Sequence, residues 1–71
     1  MFLLQVLSLQ GNLLEEVPDR TFEQLRRLEL LDLSGNRIRT IGDSAFYNLP
    51  QLRVLHLSDN MLKIIPSKAL N

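Results

Sequence analysis

The sequence predicts an α/β solenoid, in which short parallel strands line one side of the chain and connecting segments line the other. One pattern of leucines around an asparagine occurs three times, at an offset of 24 residues. Leucine supplies 17 of the 32 hydrophobic residues, which points to one side-chain shape in a repeated role. Each copy contains a Leu-x-Leu pair, which has the two-residue period of a strand.

Three asparagines, Asn12, Asn36 and Asn60, mark the copies. They end the segments Leu4-Gln-Val-Leu-Ser-Leu-Gln-Gly-Asn, Leu28-Glu-Leu-Leu-Asp-Leu-Ser-Gly-Asn and Leu52-Arg-Val-Leu-His-Leu-Ser-Asp-Asn. The repeats cover about residues 4–27, 28–51 and 52–71, so residues 1–71 are expected to form a single domain. No capping unit is recognisable in it.

The leucines of each Leu-x-Leu pair are expected to point to the same side of the strand, into the core. Because consecutive strands run in the same direction, they are expected to pair as a parallel sheet with a crossover on the far side. Three further series should fill the interior: Leu14, Ile38 and Leu62; Val17, Ile41 and Ile65; Phe22, Phe46 and Leu70. The Phe-x-x-Leu spacing predicts mostly loop or a single-turn helix on the far side.

The asparagines stand where the chain leaves each strand and turns. A side-chain amide there can donate to and accept from backbone groups that would otherwise be buried unpaired, at a cost of about 1–3 kcal/mol each. None of the five asparagines in this sequence is followed by x-Ser or x-Thr, so the pattern does not favour glycan attachment. Asn12, Asn36 and Asn60 are therefore predicted to form a structural ladder.

The full repeat, with Leu-Asp-Leu-Ser-Gly-Asn at 31–36 and Leu-His-Leu-Ser-Asp-Asn at 55–60, resembles the leucine-rich repeat in its 24-residue, typically extracellular form. The resemblance implies a segment of a horseshoe with a three-stranded sheet on its concave side. It also implies a non-enzymatic module that binds a protein through that sheet, and a location outside the cell or at its surface.

The remaining strand positions are expected to face outward, away from the core. They form three columns: Val6, Leu30 and Val54; Ser8, Asp32 and His56; and Gln10, Ser34 and Ser58. By resemblance, these nine positions on the concave face would contact a protein ligand, whose identity the sequence leaves open.

The column Ser8, Asp32 and His56 has the composition of a hydrolytic triad but not its order. Strands about 4.8 Å apart place Asp32 between Ser8 and His56, which are then about 9.6 Å apart. A triad needs the histidine in the middle, and an open sheet offers no evident oxyanion hole. One Asp-His pair also has too few ligands for zinc. We therefore expect no enzymatic activity, no metal and no cofactor.

Charge and hydropathy argue against other partners. Eight basic and eight acidic residues give zero net charge, so there is no electrostatic case for nucleic acid. No apolar run approaches the roughly 18 residues of a membrane span, so direct membrane insertion is not expected. Residues 1–9 lack a basic leading segment and carry no convincing targeting signal. The absence of cysteine excludes disulfides and thiolate metal sites.

Two classes of function follow. The first is the protein-binding module, as a fragment or an engineered piece of an extracellular repeat protein. The alternative is a structural or designed unit that associates with copies of itself into a homo-oligomer. Such copies could meet through the apolar column Val6, Leu30 and Val54, or by stacking uncapped ends.

Overall fold

The computed structural model describes residues 3–70 and contains five short strands joined by turns. The strands are β1 (Val6–Ser8), β2 (Glu16–Val17), β3 (Leu30–Asp32), β4 (Thr40–Ile41) and β5 (Val54–His56). Met1, Phe2 and Asn71, which complete the predicted domain 1–71, lie outside the described residues.

The main sheet contains β1, β3 and β5, which are parallel and lie in that order. Residues 24 apart in the sequence are partners in it, as Leu7 pairs with Leu31 and Leu31 with Leu55. This is the parallel sheet that the Leu-x-Leu spacing predicts. The spacing fixes the register, because a shift by one residue would turn the leucines away from the core.

A second sheet, which the sequence analysis did not predict, contains β2 and β4. These strands are parallel, with Glu16 opposite Thr40 and Val17 opposite Ile41. Backbone hydrogen bonds extend the pairing on both sides, from Arg39 N to the Glu15 oxygen and from Gly42 N to the Val17 oxygen, each at 2.8 Å. The connecting segments of consecutive repeats therefore pair with each other as well.

The described residues contain no helix, so the α/β class is corrected to strands and turns. The far-side segments are turns closed by bonds between residues three apart, such as Leu25 N to the Phe22 oxygen at 3.0 Å. Of the two forms predicted for the far side, loop or a single-turn helix, the described residues have the loop. An isolated helical turn is costly to nucleate, because it fixes several residues for one hydrogen bond. No helix that could cross a membrane occurs in this part of the chain.

The core is centred on the middle repeat, since both neighbouring repeats cover it. Its four largest fully buried side chains are Leu28, Leu31, Leu33 and Ile38. Ala45 from the same repeat is also buried, as are Val17 and Phe22 from the first. On the far side the rings of Phe22 and Phe46 stack, with centroids 6.4 Å apart and planes 5° from parallel.

Two predicted interior residues of the third repeat are not in the core. Ile65 is 78% exposed and Leu70 is 49% exposed, so the prediction that they fill the interior is wrong. Their counterparts Val17 and Phe22 are buried because the second repeat packs over them. Among the described residues, no strand pairs with β4 on the side of the third repeat, and Ile65 has no comparable cover.

Candidate functional site

The outer face of the main sheet is produced by the two-residue period of its strands. Leu7, Leu31 and Leu55 point inward, so the residues on either side of each point outward. We call the nine predicted positions the outer grid: Val6, Ser8, Gln10, Leu30, Asp32, Ser34, Val54, His56 and Ser58. The six members that lie on strands form two columns in the register of the sheet, as predicted: Val6, Leu30 and Val54, and Ser8, Asp32 and His56.

The first column of the outer grid is apolar. Leu30 has Val6 as its partner on one side and Val54 on the other. Val6 is 59% exposed and Val54 is 38% exposed, whereas Leu30 is half-buried between them. Three branched side chains therefore make one continuous apolar strip across adjacent strands.

The second column is polar, and Asp32 lies at its centre with Ser8 and His56 as partners. The Asp32 oxygen Oδ1 accepts a hydrogen bond from the backbone N–H of Ser34 at 3.0 Å. This bond and then the Ser34 hydroxyl lower the pKa of the Asp32 carboxyl; desolvation opposes them in part, and the nearby His56 adds a smaller lowering. Asp32 is thus a fixed negative charge on the outer face.

The order of this column is not that of a hydrolytic triad. Asp32 pairs with both Ser8 and His56, so a whole strand separates the serine from the histidine. A triad requires the histidine between the nucleophile and the carboxylate. The column can offer a carboxylate, an imidazole and a hydroxyl to a bound partner, but the serine has no adjacent histidine.

The third column differs from its prediction at one position. Ser34 is only 7% exposed, so the expectation that it faces solvent is wrong. It follows β3 at the turn, where the Ser58 hydroxyl donates to its hydroxyl oxygen at 3.2 Å. Gln10 and Ser58 are exposed on either side. Ser34 therefore supports the position of Asp32 rather than offering surface to a partner.

Asn36 lies beneath this edge of the sheet and is buried. Its Nδ2 donates to the carbonyl oxygens of Leu33, Ser34 and Leu9, at 2.9, 3.2 and 3.1 Å. Its Oδ1 accepts from the Leu14 N–H at 3.2 Å. One side chain therefore joins its own turn to that of the preceding repeat, as a structural ladder requires.

Asn60 repeats this arrangement, and Asn12 has only part of it. Asn60 donates to the Leu33 oxygen at 2.9 Å and accepts from the Ile38 N–H at 3.1 Å. Asn12 is exposed and donates to the Leu9 oxygen at 2.8 Å within its own turn. The bonds between repeats thus run from Asn60 to the second repeat and from Asn36 to the first.

Two polar side chains on the far side link repeats in ways that the sequence analysis missed. Asp19 accepts a hydrogen bond from the Ser44 N–H at 3.0 Å. Asn48 donates to the Glu23 oxygen at 2.9 Å and has a φ of 67°. Asp19 matches Asp43 in the second repeat but Ser67 in the third, and Asn48 matches Gln24 in the first, so neither position repeats as the ladder asparagines do.

An aromatic contact on the far side was also missed. The guanidinium of Arg20 lies 4.5 Å from the ring centroid of Tyr47, which is 50% exposed. Such a contact contributes about 0.5–1 kcal/mol at an exposed site. It lies on the opposite side of the chain from the outer grid and holds two repeats together.

Within the described part of the chain, no three His, Asp or Glu side chains lie close enough together to hold a metal ion. Every buried polar side-chain atom there has a hydrogen-bond partner. The outer grid is therefore an open surface with fixed polar groups, a form that suits contact with another macromolecule.

Comparison with known proteins identifies the repeat. A family model described as "Leucine rich repeat" matches residues 3–62. Searches of curated proteins and of solved structures give no significant match. The matched range includes all five strands, both sheets and the whole outer grid.

Proposed function

Because the chain belongs to the leucine-rich repeat family, we propose that it is a non-enzymatic module that docks a protein ligand on its outer grid. Domains of this family generally mediate protein–protein interaction. The observation that carries the choice of surface is the apolar strip of Val6, Leu30 and Val54. In the proposed horseshoe, this face is the concave one.

The strip has the size of an interface centre rather than of an interface. Three aliphatic side chains offer roughly 150–250 Å² of apolar surface. A stable partner buries about 800 Å² on each side, so the ligand must extend over the polar columns as well. An apolar centre with a polar rim is the usual anatomy of such an interface.

The polar column gives the ligand a chemical character. Asp32 carries a negative charge beside the apolar strip, because Ser34 holds its carboxylate in place. A suitable ligand would cover Leu30 with an apolar group and present a basic side chain or a hydrogen-bond donor to Asp32. We therefore propose a protein surface with an apolar anchor flanked by a donor, which Arg supplies best.

The test is a matched pair of leucine substitutions. Leu30→Glu places a charge at the centre of the strip, and Leu13→Glu makes the same change at a 69% exposed leucine outside the outer grid. Both variants and the unmodified chain are used to probe an array of secreted and cell-surface ectodomains. We expect ligands that bind the chain and Leu13→Glu alike, and that bind Leu30→Glu at least about tenfold more weakly.

Circular dichroism first establishes that both variants are folded. Ligands that bind all three proteins equally would place the binding surface elsewhere. Asp32→Asn removes the charge but keeps a carbonyl oxygen. A loss of ligand affinity smaller than that of Leu30→Glu would support a donor on the ligand that faces Asp32.

A second copy of the chain is another candidate ligand for the same strip. Val6 is 59% exposed, and two strips could cover each other. Size-exclusion chromatography over a dilution series separates the cases. A dimer that is lost in Leu30→Glu but kept in Leu13→Glu would make the strip a self-association surface. If the unmodified chain is monomeric at every concentration, the ligand of the strip is a different protein.

An extracellular or cell-surface location is proposed together with this function. Its support is the 24-residue repeat length, which is typical of extracellular members of the family. Labelling of the native protein with antibody in intact and in permeabilised cells tests it. Staining that requires permeabilisation would contradict it.

A further inference from the structure

The third repeat exposes two neighbouring isoleucines. Ile64 is 81% exposed and Ile65 is 78% exposed. They occupy the positions that match the second sheet, since Ile64 lies 24 residues after Thr40 and Ile65 lies 24 residues after Ile41. Residues at these positions of the first two repeats form β2 and β4.

The free edge of β4 faces this segment. Between the second and third repeats the backbone bonds reach Met61 N, which donates to the Ile38 oxygen at 2.9 Å. Between the first and second repeats they continue further, through Arg39 N and Gly42 N. In the described residues the third repeat thus departs from the pattern just where a third strand would begin.

A groove of about 330 Å³ separates the two segments. Its walls include Thr40 and Ile41 on one side and Ile64, Ile65 and Pro66 on the other. The lining is mixed, because Leu62 and the isoleucines lie beside charged residues such as Arg39 and Asp43. A strand edge with unpaired N–H and C=O groups forms part of the β4 wall. The groove therefore lies between β4 and the residues that match it in the third repeat.

Pro66 explains why the gap is open. The matching residue in the second repeat is Gly42, whose N–H donates to the Val17 oxygen at 2.8 Å. Proline has no N–H and cannot make that bond. A Cβ at Gly42 would also overlap the carboxylate of Asp19, which matches Asp43 in the next repeat. Proline at position 66 therefore lacks a donor and brings extra bulk toward Asp43.

From this arrangement we infer that residues 64–65 are a strap that closes onto β4 as a third strand, with Ile64 opposite Thr40 and Ile65 opposite Ile41. Closing fills the groove, pairs the edge of β4 and turns Ile65 inward beside Ile41, while Ile64 takes the outward position that Thr40 has in β4. Opening presents the groove with a free strand edge. Pro66 keeps the two states close in free energy, because it removes one of the bonds that would hold the strap shut.

Disulfide trapping tests the strap, and the chain has no cysteine to interfere. The pair Thr40→Cys with Ile64→Cys joins register partners of the closed state, which lie about 4.8 Å apart and suit a disulfide. Glu16→Cys with Thr40→Cys joins register partners that are already paired and serves as the positive control. Thr40→Cys with Ser67→Cys joins two residues of the groove that are out of register.

Under mild oxidation we expect the 40–64 pair to form its disulfide several-fold faster than the 40–67 pair. Equal rates for these two pairs, or a 40–64 rate no higher than that of unfolded chain in denaturant, would overturn the strap. Hydrogen exchange on the unmodified chain provides a measurement that does not depend on the cysteines. The amides of residues 64–65 should exchange more slowly than in an unstructured peptide of the same sequence, and equal rates would also overturn it.

Two substitutions of Pro66 test the reason for opening. Pro66→Gly restores both the N–H and the space, whereas Pro66→Ala restores the N–H and keeps a Cβ. We expect the 40–64 disulfide to form about fivefold faster with Pro66→Gly than with proline at position 66, because one net hydrogen bond stabilises the closed state by about that factor. The rate with Pro66→Ala should lie between the two. A slower rate for Pro66→Gly would contradict the role given to Pro66.

Discussion

The side-chain nitrogen of Asn36 donates to the carbonyl oxygen of Leu9, which lies 3.1 Å away and 27 residues earlier in the chain. The oxygen of the same amide accepts from the Leu14 N–H at 3.2 Å. Asn36 thus satisfies backbone groups on both sides of the first repeat's turn. Because Asn36 is buried, water cannot replace these bonds when the side chain is removed.

We expect Asn36→Ala to lower the free energy of unfolding by about 2–4 kcal/mol, since it leaves several buried backbone groups unpaired. Asn12→Ala is the matched control, because Asn12 is exposed and makes one bond within its own turn. That change should cost about 0.5–1.5 kcal/mol. Urea denaturation followed by circular dichroism measures both, and equal losses would contradict a ladder that depends on burial.

Asp59 should be replaceable by glycine with a gain in stability. It has a φ of 57° at the position where the other repeats have Gly11, with a φ of 77°, and Gly35, with a φ of 68°. A side chain costs roughly 1–2 kcal/mol in this left-handed region, less for aspartate than for most residues. We expect Asp59→Gly to raise the free energy of unfolding by about 0.5–1 kcal/mol.

The reverse change at the second repeat provides the control. Gly35→Ala should lower the free energy of unfolding by about 1–2 kcal/mol, because alanine must take the same positive φ. A Cβ at Gly35 would meet its nearest atom at 3.5 Å, an ordinary contact, so the loss reports backbone strain. Denaturation curves in which both substitutions act in the same direction would count against this explanation.

Stability should depend on the ionisation of Asp32. Its pKa is lowered in the folded chain, mainly by the Ser34 backbone N–H and then by the Ser34 hydroxyl. A lowered folded pKa means that the carboxylate's contribution is complete above the usual aspartate pKa of 3.8 and is lost as the pH falls through the folded value. Relative to Asp32→Asn, the unmodified chain should lose stability only below about pH 4.

Thermal unfolding between pH 2 and pH 7 would measure this difference, and NMR titration would follow the Asp32 carboxyl directly. His56→Ala should raise the pKa of Asp32 slightly, because His56 is the smallest of its lowering causes. Ser34→Ala keeps the backbone donor and removes the hydroxyl, so it should raise that pKa further. An Asp32 pKa at or above its usual value in the unmodified chain would show that Ser34 does not hold the carboxylate.

The main sheet could be predicted from the sequence because it rests on side chains. The Leu-x-Leu pairs point inward only in one register, so the spacing also placed Val6, Leu30 and Val54 in one column. A side-chain amide at the end of a strand has few roles other than pairing backbone groups, so the position of Asn36 predicted its part in the ladder. These predictions depend on period and residue type alone.

The second sheet was not predicted, since Val17 and Ile41 mark its strands with one inward residue each, which is too short a pattern to show a two-residue period. Ser34 follows the period of an outward position, but the chain has already begun to turn there and buries it. Ile65 fits the interior pattern, yet it is exposed because no strand pairs with β4 on its side in the described residues. In each case the outcome rests on backbone geometry beyond the strand, which the leucine pattern does not encode.

Asn48 combines two roles on the far side that substitution can separate. Its Nδ2 donates to the Glu23 oxygen at 2.9 Å, and its backbone has a φ of 67°. Asn48→Gly removes the hydrogen bond and keeps a residue suited to that φ, whereas Asn48→Ala removes both advantages. We expect Asn48→Gly to change the free energy of unfolding by no more than about 1 kcal/mol, because relief of strain offsets the lost bond. Asn48→Ala should then be less stable than Asn48→Gly by about 1–2 kcal/mol, as measured by urea denaturation of both variants, and equal stabilities would show that the hydrogen bond alone fixes this turn.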